Sequence, residues 1–327
     1  MNRFRDEDAL VKEIARHFLP GRGRKLRLGM GDDAALWQPK SGVAGVLTSD
    51  WFLEGSHFLR EKHPPDSVGW KCLARAASDI AAMGGTPRCF LLNLALPENA
   101  TGKWLNSFLG GLRRAARSLD CLLAGGDTTR SERILISVTV IGEIAEGQEV
   151  LRSGADVGDL LYVSGTLGEA EHGLHVLRKS RGRVVNHKNG ALRKHLYPEP
   201  RVELGCWLAE QKLATAMMDV SDGLSSDLAR LCAASGVGAL IDPGRLPLPG
   251  GIAVNSARQL ALHGGDDYEL LFTISPRKAA SFPSQFGKLR LTRIGEITTG
   301  HGVRIIGKEG NPESLHVAGW DPFRKKR

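Results

Sequence analysis

The chain has 327 residues and no uninterrupted run of 18 apolar ones, so no membrane-spanning helix is expected. Its first residues, MNRFRDEDALVKEI, are charged throughout and contain no apolar core, so no secretory leader is expected either. The five cysteines (Cys72, Cys89, Cys121, Cys206 and Cys232) show no CxxC spacing. They are expected to be buried free thiols in a reducing, cytoplasmic compartment rather than disulfides or zinc ligands. Aromatic residues make up only 6%, and no zinc-finger spacing or aromatic stripe accompanies the basic residues. The formal charge of +8 therefore points to small anionic substrates rather than nucleic acid. No Gly-Lys-Ser/Thr loop is present, which excludes the Walker A route to ATP.

What the chain has is glycine, 40 residues of it, and aspartate placed beside glycine, serine or threonine. GMGDDAAL spans 29–36, TSDWFLEGSHF 48–58 and RAASDIAAMGG 75–85. AGGDTT spans 124–129, MMDVSDGLSSD 217–227 and HGGDDYELLF 263–272. One such pair reads as an ordinary turn. Six at element ends read as a set of hard oxygen donors. Histidine is sparse beside these carboxylates, apart from His57 and His263, so magnesium fits better than zinc. Magnesium is usually completed by substrate phosphates, so a polyphosphate, most simply ATP, is the expected ligand.

The length favours two domains, 1–150 and 151–327, with no long linker between them. The first reads as an α/β unit. It starts with a helix over 6–18 and a short strand Val43–Leu47, followed by a helix from Pro65 to Met83 and a strand Arg88–Leu96. A helix capped by Thr101 then runs to Leu119, followed by strands Cys121–Ala124 and Arg133–Ile144. On this reading Asp32, Asp33, Asp50, Asp127 and Thr128 lie in loops, while Asp79 lies late in a helix. Lys71, Arg75 and Asp79 share a helical face, which is either a solvated ion-pair row or part of a site. In the second unit, strands are expected at Leu160–Val163, Ala216–Val220, Tyr268–Ile274, Leu291–Ile297 and Val303–Ile306, with helices at Arg201–Glu210 and within Asp222–Ala234. Gly165 and Gly168 flank a helix start of the kind that offers N–H groups to a phosphate, or simply a turn.

The motifs GDDAA (31–35), SDWFLEGSHF (49–58), SDIAAMGGTP (78–87) and GGDTT (125–129) carry a resemblance. RSGADVGD (152–159), VSGTLGEAEHGL (163–174), DVSDGLSSDL (219–228), GGDDYELLF (264–272) and GWDPF (319–323) extend it over nearly the whole chain in order. The sequence resembles the thiamine-monophosphate kinases, of the superfamily that includes aminoimidazole ribonucleotide synthetase and selenophosphate synthetase. The resemblance implies ATP-dependent phosphorylation of thiamine monophosphate to thiamine diphosphate, by direct in-line transfer assisted by several Mg2+ ions and without a general base. It implies a two-domain α/β (α+β) fold whose N-terminal domain binds ATP and magnesium. That domain would also pair with a second copy into an intersubunit β-barrel, while the C-terminal domain completes the cleft. By position, Asp32, Asp33, Ser49, Asp50, Asp79, Asp127, Asp219 and Asp222 would hold metal. Gly125, Gly126, Asp127, Arg152 and Ser221 would meet ATP. His57, Asp266 and Trp320 would meet the acceptor, Trp320 through the cationic thiazolium; its alternative role is a C-terminal core anchor.

Three departures stand out. Asp266 replaces the usual Glu, Ala76-Ala77 precede Ser78-Asp79 where an amide is usual, and Pro322 replaces a histidine. Two rival readings remain open: ATP activation of an amide or selenide in the same fold, and a non-catalytic nucleotide sensor. The selenide version is disfavoured because no cysteine precedes Cys72.

Overall fold

The computed structural model describes residues 16–17, 26–28, 36–37, 40–180, 190–307 and 309–321. Asp32, Asp33, most of the helix expected over 6–18, and Pro322-Phe323 lie outside the described residues. The chain forms two compact units. The first runs to Gly147 apart from Ala81–Gly84, and includes Leu177–Asn186; the second takes the rest.

In the first unit β1 (Leu26–Leu28) pairs antiparallel with β2 (Leu36–Trp37). The main sheet is built from β3 (Val43–Leu53), β4 (Thr86–Leu96), β5 (Leu122–Arg130) and β6 (Leu135–Ala145), in the order β3-β6-β4-β5. Only the β4–β5 pair is parallel. Helices α1 (Pro65–Ala82) and α2 (Lys103–Ser118) supply the rest of the core. Phe52, Leu73, Ile80, Phe90, Leu105, Phe108 and Leu112 are buried in one cluster. Each such side chain contributes roughly 1.5–3 kcal/mol on leaving water. Two glycines set the distance between the helices. A Cβ on Gly69 would lie 2.0 Å from the Phe108 carbonyl, and one on Gly111 would lie 1.8 Å from that of Asp66. That close approach fixes α1, which carries Arg75 and Asp79. Thr101 does not cap α2: its hydroxyl donates to the Glu98 carbonyl at 2.7 Å, and Gly102 occupies the cap.

The second unit holds β7 (Leu160–Ser164), β8 (Ala214–Val220), β9 (Gly238–Ile241) and β10 (Glu269–Ile274), then β11 (Gln285–Phe286), β12 (Leu289–Thr298), β13 (Gly302–Ile306) and β14 (Pro312–Ser314). They form a mixed sheet in the order β14-β13-β9-β12-β7-β10-β8, with β11 on β12. Around it lie α3 (Glu169–Lys179), α4 (Gly190–Leu196), α5 (Val202–Glu210), α6 (Leu224–Ser235) and α7 (Val254–His263). Leu161, Val163, Met218, Leu228, Leu231 and Leu271 are buried together in its core. No described helix is long and apolar enough to cross a membrane. The five thiols are free; four are buried, and burial pushes Cys89 up to about 11.

Candidate active site

Two of the expected loops are strands. Asp50 lies inside β3 and Asp127 and Thr128 inside β5, because both strands run on past the apolar stretches that mark them in the sequence. On β3 the residues alternate. Thr48, Asp50 and Phe52 face the covered side, while Leu47, Ser49 and Trp51 face out. Asp50 therefore meets α1, where the Arg75 guanidinium lies 3.6 Å from its carboxylate and 5.3 Å from the Phe52 ring centroid. One turn on, Asp79 accepts a 2.5 Å hydrogen bond from the Thr48 hydroxyl. The face shared by Lys71, Arg75 and Asp79 is thus not a solvated ion-pair row, since Lys71 is only 1% exposed. Thr48 joins this group without any signal in the sequence, except that it stands two residues before Asp50 and so shares its face of the strand.

Ser49 points away from this group, its hydroxyl 3.0 Å from that of Thr139. Asp127 is exposed and pairs with Asn93, one position past the row Asp50–Val138–Leu92–Gly126. Its side chain accepts the Thr128 N–H at 2.9 Å. The structure brings Asp50 and Asp79 together, and leaves Ser49 and Asp127 on the alternate side of the sheet. Gly126 has a structural reason of its own. At φ +155, a Cβ there would lie 1.8 Å from the Leu92 carbonyl, whereas one on Gly125 would meet only a Leu91 methyl at 3.7 Å. Glycine at 126 is required by strand packing before any ligand arrives. The His57 ring accepts the Leu53 N–H at Nδ1 (3.0 Å), which leaves the proton of the neutral ring on Nε2.

In the second unit the site residues gather at one edge of the sheet. Asp219 is buried near the end of β8. Ser221, Asp222 and Gly223 form the turn into α6, and their three N–H groups all point to one carboxylate oxygen of Asp227 at 3.0–3.1 Å. Arg230, one turn further, donates to Asp222 at 2.6 Å and to Asp227 at 2.7 Å. The next loop docks on this turn. Asp266 N–H donates to the Ser221 carbonyl, and Trp320 N–H donates to the Asp222 carbonyl, both at 2.8 Å. Asp266 accepts the Tyr268 hydroxyl at 2.8 Å and lies 3.8 Å from the buried His195 ring. Ser226 receives the Gly319 N–H at 3.2 Å, which holds the segment before Trp320. The indole of Trp320 is 43% exposed, which does not suit a core anchor. Arg152 has an exposed side chain, and its carbonyl accepts the Ser235 hydroxyl at 2.8 Å.

Sequence reasoning passed over Asp227, Arg230, Asp267, Glu269, Lys194 and Arg201. Asp267 is fully buried and takes the N–H groups of Gly168 (2.5 Å) and Ala170 (3.0 Å). The helix start at Gly165–Gly168 is therefore spent on an internal carboxylate, and the two N–H groups are not open to a phosphate. Burial pushes the Asp267 carboxyl up to about 7. Glu269 is buried as well, and burial alone would raise its pKa. Lys194 and Arg201 reverse that, so it is held down to about 2. Arg201 grips it with two nitrogens at 2.8 and 2.6 Å, Ser164 donates at 2.5 Å, and Lys194 completes the ion pair.

The donor set suits a hard divalent cation: carboxylates and hydroxyls, with no thiol. Among the described residues no three His, Cys, Asp or Glu already converge as a closed metal site. Magnesium takes one or two carboxylates and fills its other positions from water and phosphate. Asp50, Asp79 and Asp127 in the first unit and Asp219 and Asp222 in the second are the described carboxylates that fit this use.

Residues 31–144 match the family of AIR synthase related proteins, N-terminal domain, and residues 156–308 match its C-terminal domain. The thiamine-monophosphate kinase of Escherichia coli (strain K12) is 36% identical, covering 95% of this chain and 97% of the relative. That of Aquifex aeolicus is 36% identical over 90% of this chain and 92% of the relative. Among solved structures, the thiamine-monophosphate kinase of Stenotrophomonas maltophilia K279a superposes with a TM-score of 0.81 at 39% identity, covering 92% of this chain and 96% of that one. A structure described as AaThiL complexed with AMPPCP and TMP gives 0.76 at 32% identity over 99% of both chains. The hydrogenase maturation protein HypE, at 18% identity and 0.79, shares the fold alone. With mixed α/β architecture in two units and relatives above 30% identity along nearly its full length, the chain belongs to the thiamine-monophosphate kinase family of AIR synthase related proteins.

Proposed function

We propose that the protein transfers the γ-phosphoryl group of ATP to the phosphate of thiamine monophosphate, giving thiamine diphosphate and ADP. The observation that carries this reading is the join between Ser221-Asp222 and the loops of Asp266 and Trp320, made by two 2.8 Å hydrogen bonds. Residues assigned to phosphate and metal, and residues assigned to a cationic heterocycle, occupy one rigid edge of the second unit. A relative of 32% identity is described as bound to AMPPCP and TMP, an ATP analogue and the acceptor.

In this reading Asp32, Asp33, Ser49, Asp50, Asp79, Asp127, Asp219 and Asp222 hold several Mg2+ ions. Gly125, Gly126, Asp127, Arg152 and Ser221 meet ATP, and His57, Asp266 and Trp320 meet the acceptor. When bound, magnesium offsets the repulsion between the two phosphate chains and aligns them for in-line transfer. The chain's own part is placement. Arg75 holds Asp50 against α1, Thr48 holds Asp79, and Arg230 orients Asp222. No general base is required, because a phosphate monoester with a second pKa of about 6 is already ionised near neutrality. His57, with Nδ1 occupied by the Leu53 N–H, orients the acceptor rather than taking a proton. Residues 1–150 form the ATP, magnesium and dimerisation domain, and 151–327 complete the site. The protein acts in the cytoplasm as a homodimer; the outward face of β3, where Leu47 is 68% and Trp51 59% exposed, supports the pairing. Pairing of that face with a second copy closes the intersubunit barrel and covers both side chains.

The test is the purified protein with ATP, magnesium and thiamine monophosphate, monitored for thiamine diphosphate. Product formation dependent on all three supports the reading. ATP binding without turnover, or turnover only with an amide acceptor, replaces it with one of the rival readings.

A further inference from the structure

The second unit contains a cleft of about 890 Å³ whose wall includes Glu269 but none of the residues assigned above to ATP, magnesium or thiamine monophosphate. Six cationic side chains line it (Lys194, Arg201, Arg245, Lys288, Arg290 and Arg293) against two anionic ones, Glu169 and Glu269. Glu269 is buried and ionised, and it pairs with Lys194 and Arg201, so this trio presents a net positive charge to the cleft. Two of the remaining cations are partly offset, Arg245 by Asp242 at 3.0 Å and Arg293 by Glu296 at 3.5 Å. Lys288 and Arg290 are exposed and have no acidic partner among the described residues. Thr292, in the same wall, has a buried hydroxyl with no hydrogen-bond partner. Leu246, Pro247, Leu248, Leu289 and Leu291 complete the lining.

Like charges around a concavity repel one another, and a cleft lined by one sign of charge focuses its field and concentrates ligands of the opposite sign. The planar fork of arginine matches phosphate, and the apolar wall suits a ring or hydrocarbon part. A volume of about 890 Å³ is in the range that holds a nucleotide-sized molecule. We infer that this cleft is a second ligand site, separate from the phosphoryl-transfer site, which binds a small phosphate ester carrying a compact apolar or aromatic part. The phosphate sits against Lys288 and Arg290, with the Lys194–Glu269–Arg201 group adding positive charge, and the apolar part lies along Leu246–Leu248.

The inference does not rest on the transfer reaction and is tested without it. AMP is titrated calorimetrically into the full chain in magnesium-free buffer at low salt, with inorganic phosphate in a parallel titration. The wild type is compared with Lys288→Gln/Arg290→Gln and with Asp50→Asn. The expected result is AMP binding at least several-fold tighter than phosphate. It weakens about 10-fold or more in the Lys288/Arg290 variant, the effect of two lost charge-assisted contacts, and is unchanged in Asp50→Asn. Turnover of the Lys288/Arg290 variant with saturating substrates stays at the wild-type level. Equal AMP affinity in the wild type and that variant places the ligand elsewhere and overturns the assignment. So does no binding up to about 10 mM, the weak end of specific recognition. AMP binding no tighter than phosphate removes the apolar half of the proposal.

Discussion

Asp266, Asp267 and Glu269 stand within four residues of one motif, yet they divide as sharply as any two regions of the molecule. Asp267 and Glu269 are fully buried with every oxygen engaged: one closes the start of α3, and the other ties α4 and α5 to β10. Asp266 remains partly open beside Tyr268 and His195. The turn before α6 repeats the division. Asp227 is buried and gathers three N–H groups, while Asp222 sits at the surface with Arg230. On the proposed reading, an acidic motif in this fold therefore contains one residue that meets a ligand and another, buried and fully hydrogen-bonded, that builds the platform beneath it. Burial and the number of donors separate the two; the residue type does not.

The largest effect is expected from breaking a platform acid. Glu269→Gln keeps the shape but strands two cations beside a buried neutral amide, a loss of roughly 3–5 kcal/mol. Chemical denaturation at pH 7 measures it. The sign with pH follows from the depressed pKa. A group held near 2 instead of its usual 4.5 gives its full stabilisation above about 4.5 and loses it as pH falls toward 2. The difference between wild type and variant should shrink over that interval by up to about 1.4 kcal/mol per pH unit. A variant as stable as wild type at pH 7 would break the division between platform and ligand acids.

Asp50→Asn tests the other class. It should cut turnover of ATP and thiamine monophosphate by about 100-fold or more, the scale of a lost electrostatic contact in the transition state. Stability should change by less than about 1 kcal/mol, because among the described residues the charge partner given up is Arg75 at 3.6 Å. A variant that retains turnover at limiting magnesium, or that unfolds, moves Asp50 into the platform.

Much of this was legible before the coordinates. The Asp-Gly clusters drew attention to Asp50, Asp79, Asp219 and Asp222, and α1 ends close to where Gly84-Gly85 places the stop. What could not be read was which acid of a cluster points inward. That depends on partners far along the chain: Arg201 reaches Glu269 across 68 residues, and Gly168 reaches Asp267 across 99. Strand lengths failed for a related reason. Ser49-Asp50 and Gly-Gly-Asp-Thr-Thr look like turns in isolation, and only ladder pairing with β6 and β4 keeps them extended. The helices Gly190–Leu196 and Val254–His263 and the strand Gly238–Ile241 were not anticipated, being short and weakly patterned.

Asp267→Asn sharpens the comparison within the platform. Asn keeps one acceptor for the two N–H groups of Gly168 and Ala170, so a cost of about 1 kcal/mol is expected, as for a lost helix cap. The pH trend runs opposite to that of Glu269. A carboxyl raised to about 7 gives its stabilisation below its usual 3.8 and loses it as pH climbs through 7. The cost of the substitution should therefore be larger near pH 5 than at pH 8. Thermal melts of both proteins at the two values decide it, and a cost that grows with pH would show that the carboxylate is ionised throughout.

The smallest effect belongs to Trp320, the most exposed of the residues assigned to a ligand in the second unit's edge. Its backbone bond to the Asp222 carbonyl survives truncation of the side chain, so Trp320→Ala should leave the loop and the melting temperature in place. What is lost is an aromatic face 43% open to solvent. If that face receives the thiazolium, the KM for thiamine monophosphate should rise about 2- to 30-fold, from roughly 0.5–2 kcal/mol of cation–π contact. The KM for ATP and the value of kcat should hardly move, because binding is lost equally from ground and transition states. A rise in both KM values would show that the indole shapes the Asp222 turn instead. A fall in melting temperature would place it with Asp227, Asp267 and Glu269 among the residues that hold the edge together.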